Sequence, residues 1–176
     1  MGATSYSILK QDACNQAQLI AIDSSKAMIQ SFNQSLHQQG YASQVQLHHA
    51  NIQDFPLKNA SVVILNYVLQ FIPPPQRDAL LQKIWRSLVP GGVLLLSEKL
   101  RFDDSDKEQK MRTWHHDFKA ASGYTPLEIK QKARDIKSVM QTDSLSQLNT
   151  RIQQAGYQEH SIWMQCYNFF SFVIEK

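Results

Sequence analysis

The chain has 176 residues, 43% of them apolar and 19% charged, with 18 Lys and Arg against 15 Asp and Glu for a net charge of +3. These proportions exclude a disordered or collagen-like chain, and the length suits one domain with a buried core. The positive excess is too small and dispersed to argue for nucleic-acid binding, and no apolar run approaches the ~20 residues of a membrane helix.

The opening Met1-Gly2-Ala3-Thr4-Ser5-Tyr6 has neither the basic nor the apolar region of a signal peptide. Gln18 to Ile22 reads as a strand, a short apolar run stopping at Asp23. Ser24 to Gln39 follows with Met28, Ile29, Phe32 and Leu36 at helical spacing; Ser24 or Ser25 is its cap and Gly40 its end. Gln44 to His48 alternates at period two, and Ser61 to Leu65 is a β-branched apolar run stopping at Asn66. After Pro73-Pro74-Pro75, Gln76 to Leu88 carries Leu80, Leu81, Ile84 and Leu88 on one helical face. Pro90-Gly91-Gly92 is expected to turn the chain into a strand over Gly92 to Leu96, which ends at Ser97-Glu98-Lys99. The polar segment 103–141 breaks the rhythm and reads as a helical insertion at the sheet's carboxyl edge. Asp143 or Ser144 opens a helix with Leu145, Leu148 and Ile152, closed by Gly156. Ser161 to Cys166 and Phe169 to Ile174 have only Tyr167-Asn168 between them, which permits an antiparallel hairpin and forbids a parallel crossover.

The β-α-β-α-β order implies a parallel sheet with helices on both faces. The apolar character of Ile20, Val62 to Leu65 and Val93 to Leu96 suggests strands buried on both sides. Ligands of such sheets bind beyond the carboxyl ends of the strands. Asp23 there can accept both hydroxyls of a ribose, or serve as an acid at a helix N-terminus. Asn51 can meet an adenine amino group or hold a turn, and a ligand or a backbone turn can satisfy Asn66. His48-His49 and His115-His116 are adjacent pairs whose side chains diverge, so no metal is expected. Cys14 and Cys166 have no metal-ligand spacing, and Cys166 reads as a buried inert thiol. Lys130, Lys132, Arg134 and Lys137 form a basic stretch, either a solvated face or a cation for an acidic ligand. The glycine-rich turn after a first strand, which a nucleotide site wants, is not seen. The sheet pattern begins at what reads as its second strand. A sheet without its central strand leaves edges and apolar faces uncovered, and weak cofactor binding and poor solubility are expected of the chain as written.

Several strings carry a resemblance. Ile20-Ala21-Ile22-Asp23-Ser24-Ser25, the stretch from Lys58 to Phe71, Leu96-Ser97-Glu98-Lys99, His115-His116-Asp117-Phe118-Lys119, Ser122-Gly123-Tyr124 and Gln165-Cys166-Tyr167-Asn168-Phe169 together resemble the carboxy-S-adenosyl-L-methionine synthase family. The resemblance implies an α/β, Rossmann-like class I methyltransferase fold over 1–176, without the first strand and most of the glycine loop. It implies S-adenosyl-L-methionine and prephenate as reactants, the prephenate carboxyl ending on the sulfonium methyl. The product, carboxy-S-adenosyl-L-methionine, would pass to a partner enzyme that converts a tRNA wobble uridine to its 5-oxyacetyl form. A cytoplasmic homodimer with no direct nucleic-acid or membrane contact is implied as well. By the same resemblance Asp23 and Ser24 match the ribose-contacting pair and Asn51 and Ile52 the adenine-contacting pair. Asn66 matches the asparagine ending a strand, and Gly2 the last glycine of the loop. Asn51 stands where the family has Asp. Ala133 stands where the family has an arginine that reaches the product carboxylate across the dimer. Arg134 is next door, but one helical step turns its side chain by ~100°. A non-catalytic binding module and an ordinary methyltransferase remain the competing expectations.

Overall fold

The computed structural model describes residues 2–11 and 17–176, so Met1 and Cys14 lie outside the described residues. The chain divides into two compact units, 1–56 and 57–176.

The first unit holds α1 (Ala3–Leu9), β1 (Leu19–Asp23), α2 (Lys26–Gln38) and β2 (Val45–His49). β1 and β2 pair in parallel, Leu19 opposite Val45 through Asp23 opposite His49. Ser25, not Ser24, caps α2: its hydroxyl accepts from the Met28 amide at 3.4 Å. The α2 stripe buries Phe32 and Leu36 against Val45, with Tyr6, Leu9, Tyr41 and Leu47 around them. Full burial of such side chains is worth roughly 1.5–3 kcal/mol each. Tyr6 packs edge-on against Phe32, centroids 5.7 Å apart, and donates its hydroxyl to Ser35 Oγ at 2.8 Å.

The second unit runs β3 (Ala60–Asn66), a 3-10 turn (Leu69–Phe71), α3 (Pro74–Ser87), β4 (Leu88–Lys99), α4 (Ser105–Ala121), α5 (Pro126–Lys137), α6 (Leu145–Gln154), β5 (His160–Cys166) and β6 (Phe169–Glu175). Its sheet has the order β3-β4-β6-β5. β3 and β4 are parallel; β4–β6 and β5–β6 are antiparallel, so the short Tyr167-Asn168 link does close a hairpin. Leu80, Leu81 and Ile84 of α3, Leu148 and Ile152 of α6, and Leu94, Leu96, Phe172 and Ile174 of the sheet are buried. Ser144 caps α6 with Gln147 in a reciprocal capping box, which selects Ser144 over Asp143. The segment 103–141 is helical, as α4 and α5, and buries little: Ile129 alone among the residues of these two helices. Among the described residues no helix is long and apolar enough to cross a membrane.

Three expectations are corrected and one element is new. Among the described residues β1 and β3 each pair on one side only, so Ile20 is 45% and Val62 53% exposed instead of buried on both faces. Cys166 is exposed, because β5 is the outer strand of its sheet and turns this side chain away from the core. Pro90-Gly91-Gly92 lies inside β4 instead of leading into it; Gly91 adopts φ 73°, and the β3–β4 register shifts between Ala60 and Val62. α1 was not anticipated: its seven residues, Ala3 to Leu9, are too few to show a helical period.

Candidate functional site

In the first unit the sequence-predicted residues sit at the carboxyl ends of β1 and β2. Asp23 ends β1 and is exposed; its Oδ1 accepts the Ser25 amide at 2.8 Å, and its backbone oxygen accepts from the Ala50 amide at 3.1 Å. The carboxylate therefore opens α2 with one oxygen and has a second acceptor oxygen besides. Ser24 is exposed, and its carbonyl meets His49 Nε2 at 3.0 Å. Asn51 follows β2; its side-chain amide donates to Asp54 Oδ2 at 3.2 Å, and its carbonyl accepts from the Asp54 and Phe55 amides. The turn reading of Asn51 is thus the one observed; its amide oxygen is an acceptor. Ile52 is the half-buried next residue. Gly2 precedes α1 at φ 72°, and a Cβ built there would lie 2.0 Å from the Phe32 ring. Only glycine fits both demands. Asp23 and Asn51 each carry side-chain oxygens that accept hydrogen bonds.

The second unit brings a further set together. β3 ends at Asn66, opposite Ser97 of β4, and is exposed there instead of ending a buried strand. The chain then turns sharply: Tyr67 takes φ 57°, and its amide donates to the Ser97 carbonyl at 2.8 Å. A left-handed tyrosine is uncommon and is held by its surroundings. Its ring stands edge-on to Phe169 at 5.7 Å, while Phe169 pairs with Lys99 across β6 and β4. Lys99 Nζ lies 5.8 Å from the Phe169 centroid. From α4, His115 stacks edge-on against Phe169 at 5.0 Å and tilts over Tyr167 at 5.8 Å. Burial, then the charges of Lys119, Lys99 and His116, pulls the His115 imidazole down to about 4, so it is neutral near pH 7. Burial, then the Glu98 and Cys166 charges, pushes the Tyr67 phenol up.

Behind this surface lies a buried polar network. Glu98 is 3% exposed and accepts the Leu69 and Gln70 amides at 2.8 and 3.0 Å. Burial pushes its carboxyl up to about 7, against the pull of those amides and of Arg77. Gln70 Oε1 in turn accepts the Lys99 amide at 3.1 Å. Arg77, 1% exposed, pairs with Asp143 at 2.9 Å, and Asp143 also receives Arg151 Nε at 2.9 Å. A cavity of about 10 Å³, room for about one water, is lined by Gln70, Arg77, Glu98, Lys99 and Asp143 among others.

The sequence reading marked Glu98-Lys99 only as a polar strand end and missed Tyr67 and Phe169 as site groups. The available signal was the apolar β4 run stopping abruptly in a charge pair. Ala133 and Arg134 are both exposed on α5, with Arg134 in its last turn. Lys130, Lys132 and Lys137 are exposed too. Among the described residues no group of three or more His, Cys, Asp or Glu side chains is placed to hold a metal ion.

A methyltransferase domain model matches residues 1–92. The carboxy-S-adenosyl-L-methionine synthase of Shewanella denitrificans is 42% identical over all 176 residues of this chain, which span 72% of that protein. The chain belongs to the carboxy-S-adenosyl-L-methionine synthase family. The synthase of Shewanella oneidensis is 41% identical over the same spans. Membership makes the chain a transferase of the group that uses S-adenosyl-L-methionine. Among solved structures, the mitomycin 7-O-methyltransferase MmcR superposes with a TM-score of 0.69 at 12% identity, over 99% of this chain and 46% of its own. PigF with SAH gives 0.66 at 18% identity, over 99% and 48%. At such identities these two speak for the fold alone, and they bear out the class I methyltransferase architecture.

Proposed function

We propose that this synthase-family chain moves the ring carboxyl group of prephenate onto the methyl carbon of S-adenosyl-L-methionine: the bond from ring to carboxyl breaks, the ring hydroxyl leaves and carries the methyl proton away as water, and carboxy-S-adenosyl-L-methionine, phenylpyruvate and water result. The likeness to carboxy-S-adenosyl-L-methionine synthases over the entire chain carries this reading. The donor set at Asp23 and Asn51 supports it from the structure. Asp23 and Ser24 would hold the ribose, Asn51 and Ile52 the adenine, and Asn66 would contact the cofactor from β3. Gly2 would keep the backbone bare of a side chain at its approach. Bound there, S-adenosyl-L-methionine supplies an acidified sulfonium methyl as the carboxyl acceptor. The protein's own part is to orient the two reactants and to keep water from the reacting carbon. Arg134 is the cation that α5 offers to the product carboxylate in place of the arginine absent at Ala133.

The protein would act as a cytoplasmic homodimer, its product passing to an enzyme that modifies the wobble uridine of tRNA. The exposed Ile162, Trp163 and Met164 along β5 support self-association, since a run of apolar surface is costly in water. A second reading, a non-catalytic binding module, draws on Ala133.

Incubation with S-adenosyl-L-methionine and prephenate, followed by mass spectrometry, separates the readings. The proposal expects a cofactor heavier by one carboxyl group. Cofactor binding without any product supports the binding module. Transfer of an intact methyl group to an acceptor supports an ordinary methyltransferase.

A further inference from the structure

Glu98 stands where the β4 pattern calls for a leucine. Alternate residues of a strand share a face, and Leu94 and Leu96 on this face are fully buried, as Leu100 is beyond the strand end. A carboxyl group in such a row is costly unless it is bonded, so its bonds show what it does. Both oxygens go to one short segment. Oε1 accepts the Leu69 amide at 2.8 Å and Oε2 the Gln70 amide at 3.0 Å, the amides that open the 3-10 turn. Val68 before them has no side chain able to cap that turn, so the cap comes from the neighbouring strand. Three consecutive β4 residues therefore grip the chain that leaves β3. The Ser97 carbonyl takes the Tyr67 amide at 2.8 Å, the Glu98 carboxyl takes the Leu69 and Gln70 amides, and the Lys99 amide donates to Gln70 Oε1 at 3.1 Å. On its far side the turn is tied again, since the Gln70 carbonyl accepts the Gln141 amide at 2.9 Å. A tyrosine at φ 57° is not a shape that the chain keeps unaided, and this grip holds it. Immediately before the gripped segment stands the exposed Asn66.

We propose that Glu98 is a positioning residue: with Gln70 it fixes the 66–71 turn so that Asn66 meets the cofactor in one orientation. This deepens the proposed function and rests on it for the contact between Asn66 and S-adenosyl-L-methionine, but not for transfer of the carboxyl group. The role needs a carboxylate. A glutamine has one acceptor oxygen, and its amino group would be set against a backbone N–H, whereas an aspartate keeps both acceptors on a shorter stem. A purely structural Glu98 would change stability and leave the affinity of the folded protein unaltered.

The test is calorimetric titration of the whole chain with S-adenosyl-L-methionine, joined to amide hydrogen exchange. Both are run at about pH 8, where Glu98, with its carboxyl pushed up to about 7, is ionised. Glu98→Gln is expected to raise the Kd about tenfold and to speed exchange at Leu69 and Gln70 about tenfold, as the loss of a bond to a charged acceptor requires. Glu98→Asp is expected to bring the Kd back to within about threefold of the unaltered chain, because both acceptors return. Gln70→Met keeps the main-chain bonds of residue 70 and removes the acceptor of the Lys99 amide. It is expected to raise the Kd about threefold, so the inference stays testable if Glu98→Gln folds poorly. Weakened binding in these variants, with no carboxylated product from the unaltered chain and prephenate, supports the inference and overturns the proposed transfer. Faster exchange with an unchanged Kd in both Glu98→Gln and Gln70→Met overturns the inference, since the grip then serves stability alone. No binding of S-adenosyl-L-methionine by the unaltered chain overturns both.

Discussion

Replacing Arg77 by Met tests the buried frame behind the second unit's site. Arg77 is 1% exposed and makes three bonds: Nε to the Ile72 carbonyl at 2.9 Å, Nη2 to the Gln141 carbonyl at 2.6 Å, and Nη1 to Asp143 at 2.9 Å. It thereby ties the start of α3 to the segment leading into α6. Met fills similar space but leaves two carbonyls and a buried carboxylate without that donor. Removing one partner of a buried pair typically costs about 3–5 kcal/mol. Asp143 keeps Arg151 at 2.9 Å, so the lower end, about 3 kcal/mol, is expected. Urea unfolding followed by tryptophan emission reads this unit, because Trp85, Trp114 and Trp163 all lie in it. Arg77→Lys, which keeps charge but loses the fork, is expected to fall between. A loss below about 1 kcal/mol for Arg77→Met would refute the assigned role, because two carbonyls and one carboxylate oxygen would lose their buried donor at almost no cost.

Two more outcomes follow from the geometry. Glu98 titrates near 7 in the fold against an ordinary 4.5, so its protonated form is the one favoured by folding. Its contribution is complete below pH 4.5 and fades as pH rises through 7, by about 3 kcal/mol across the window. Urea titrations at several pH values should show that decline, and Glu98→Gln should flatten it; an equal decline in the variant would assign it to other groups. Gly2→Ala places a Cβ 2.0 Å from the Phe32 ring at φ 72°. Amide exchange in α2 should speed up about fivefold to a hundredfold, as about 1–3 kcal/mol of strain would require, and unchanged exchange would mean that the ring moves aside freely.

Much of the fold was legible because local rules and tertiary packing agree. The α2 and α6 stripes, Phe32 and Leu36 in one and Leu148 and Ile152 in the other, predicted the faces that are buried. Tyr167-Asn168 predicted the hairpin because two residues allow little else. The failures have physical causes. Ile20 and Val62 lie in runs that read as doubly buried, but burial depends on neighbours of the strand that its own residues do not encode. Cys166 misled for the same reason, as a residue common in cores that here faces outward from an edge strand. Asp23 was legible as a candidate from its position alone, because a carboxylate ending an apolar strand is local information. The cluster of Tyr67, Lys99, His115 and Phe169 was not, since its members come from four elements or turns that only strand register and the placement of α4 bring together. The positive φ of Tyr67 likewise left no composition signal.

The most direct test uses prephenate isotopically labelled at its ring carboxylate, incubated with S-adenosyl-L-methionine and the whole chain. The account predicts label in the carboxymethyl group of the sulfonium product. Product carrying no label, or S-adenosyl-L-methionine recovered unchanged after demonstrated binding of both reactants, would contradict it.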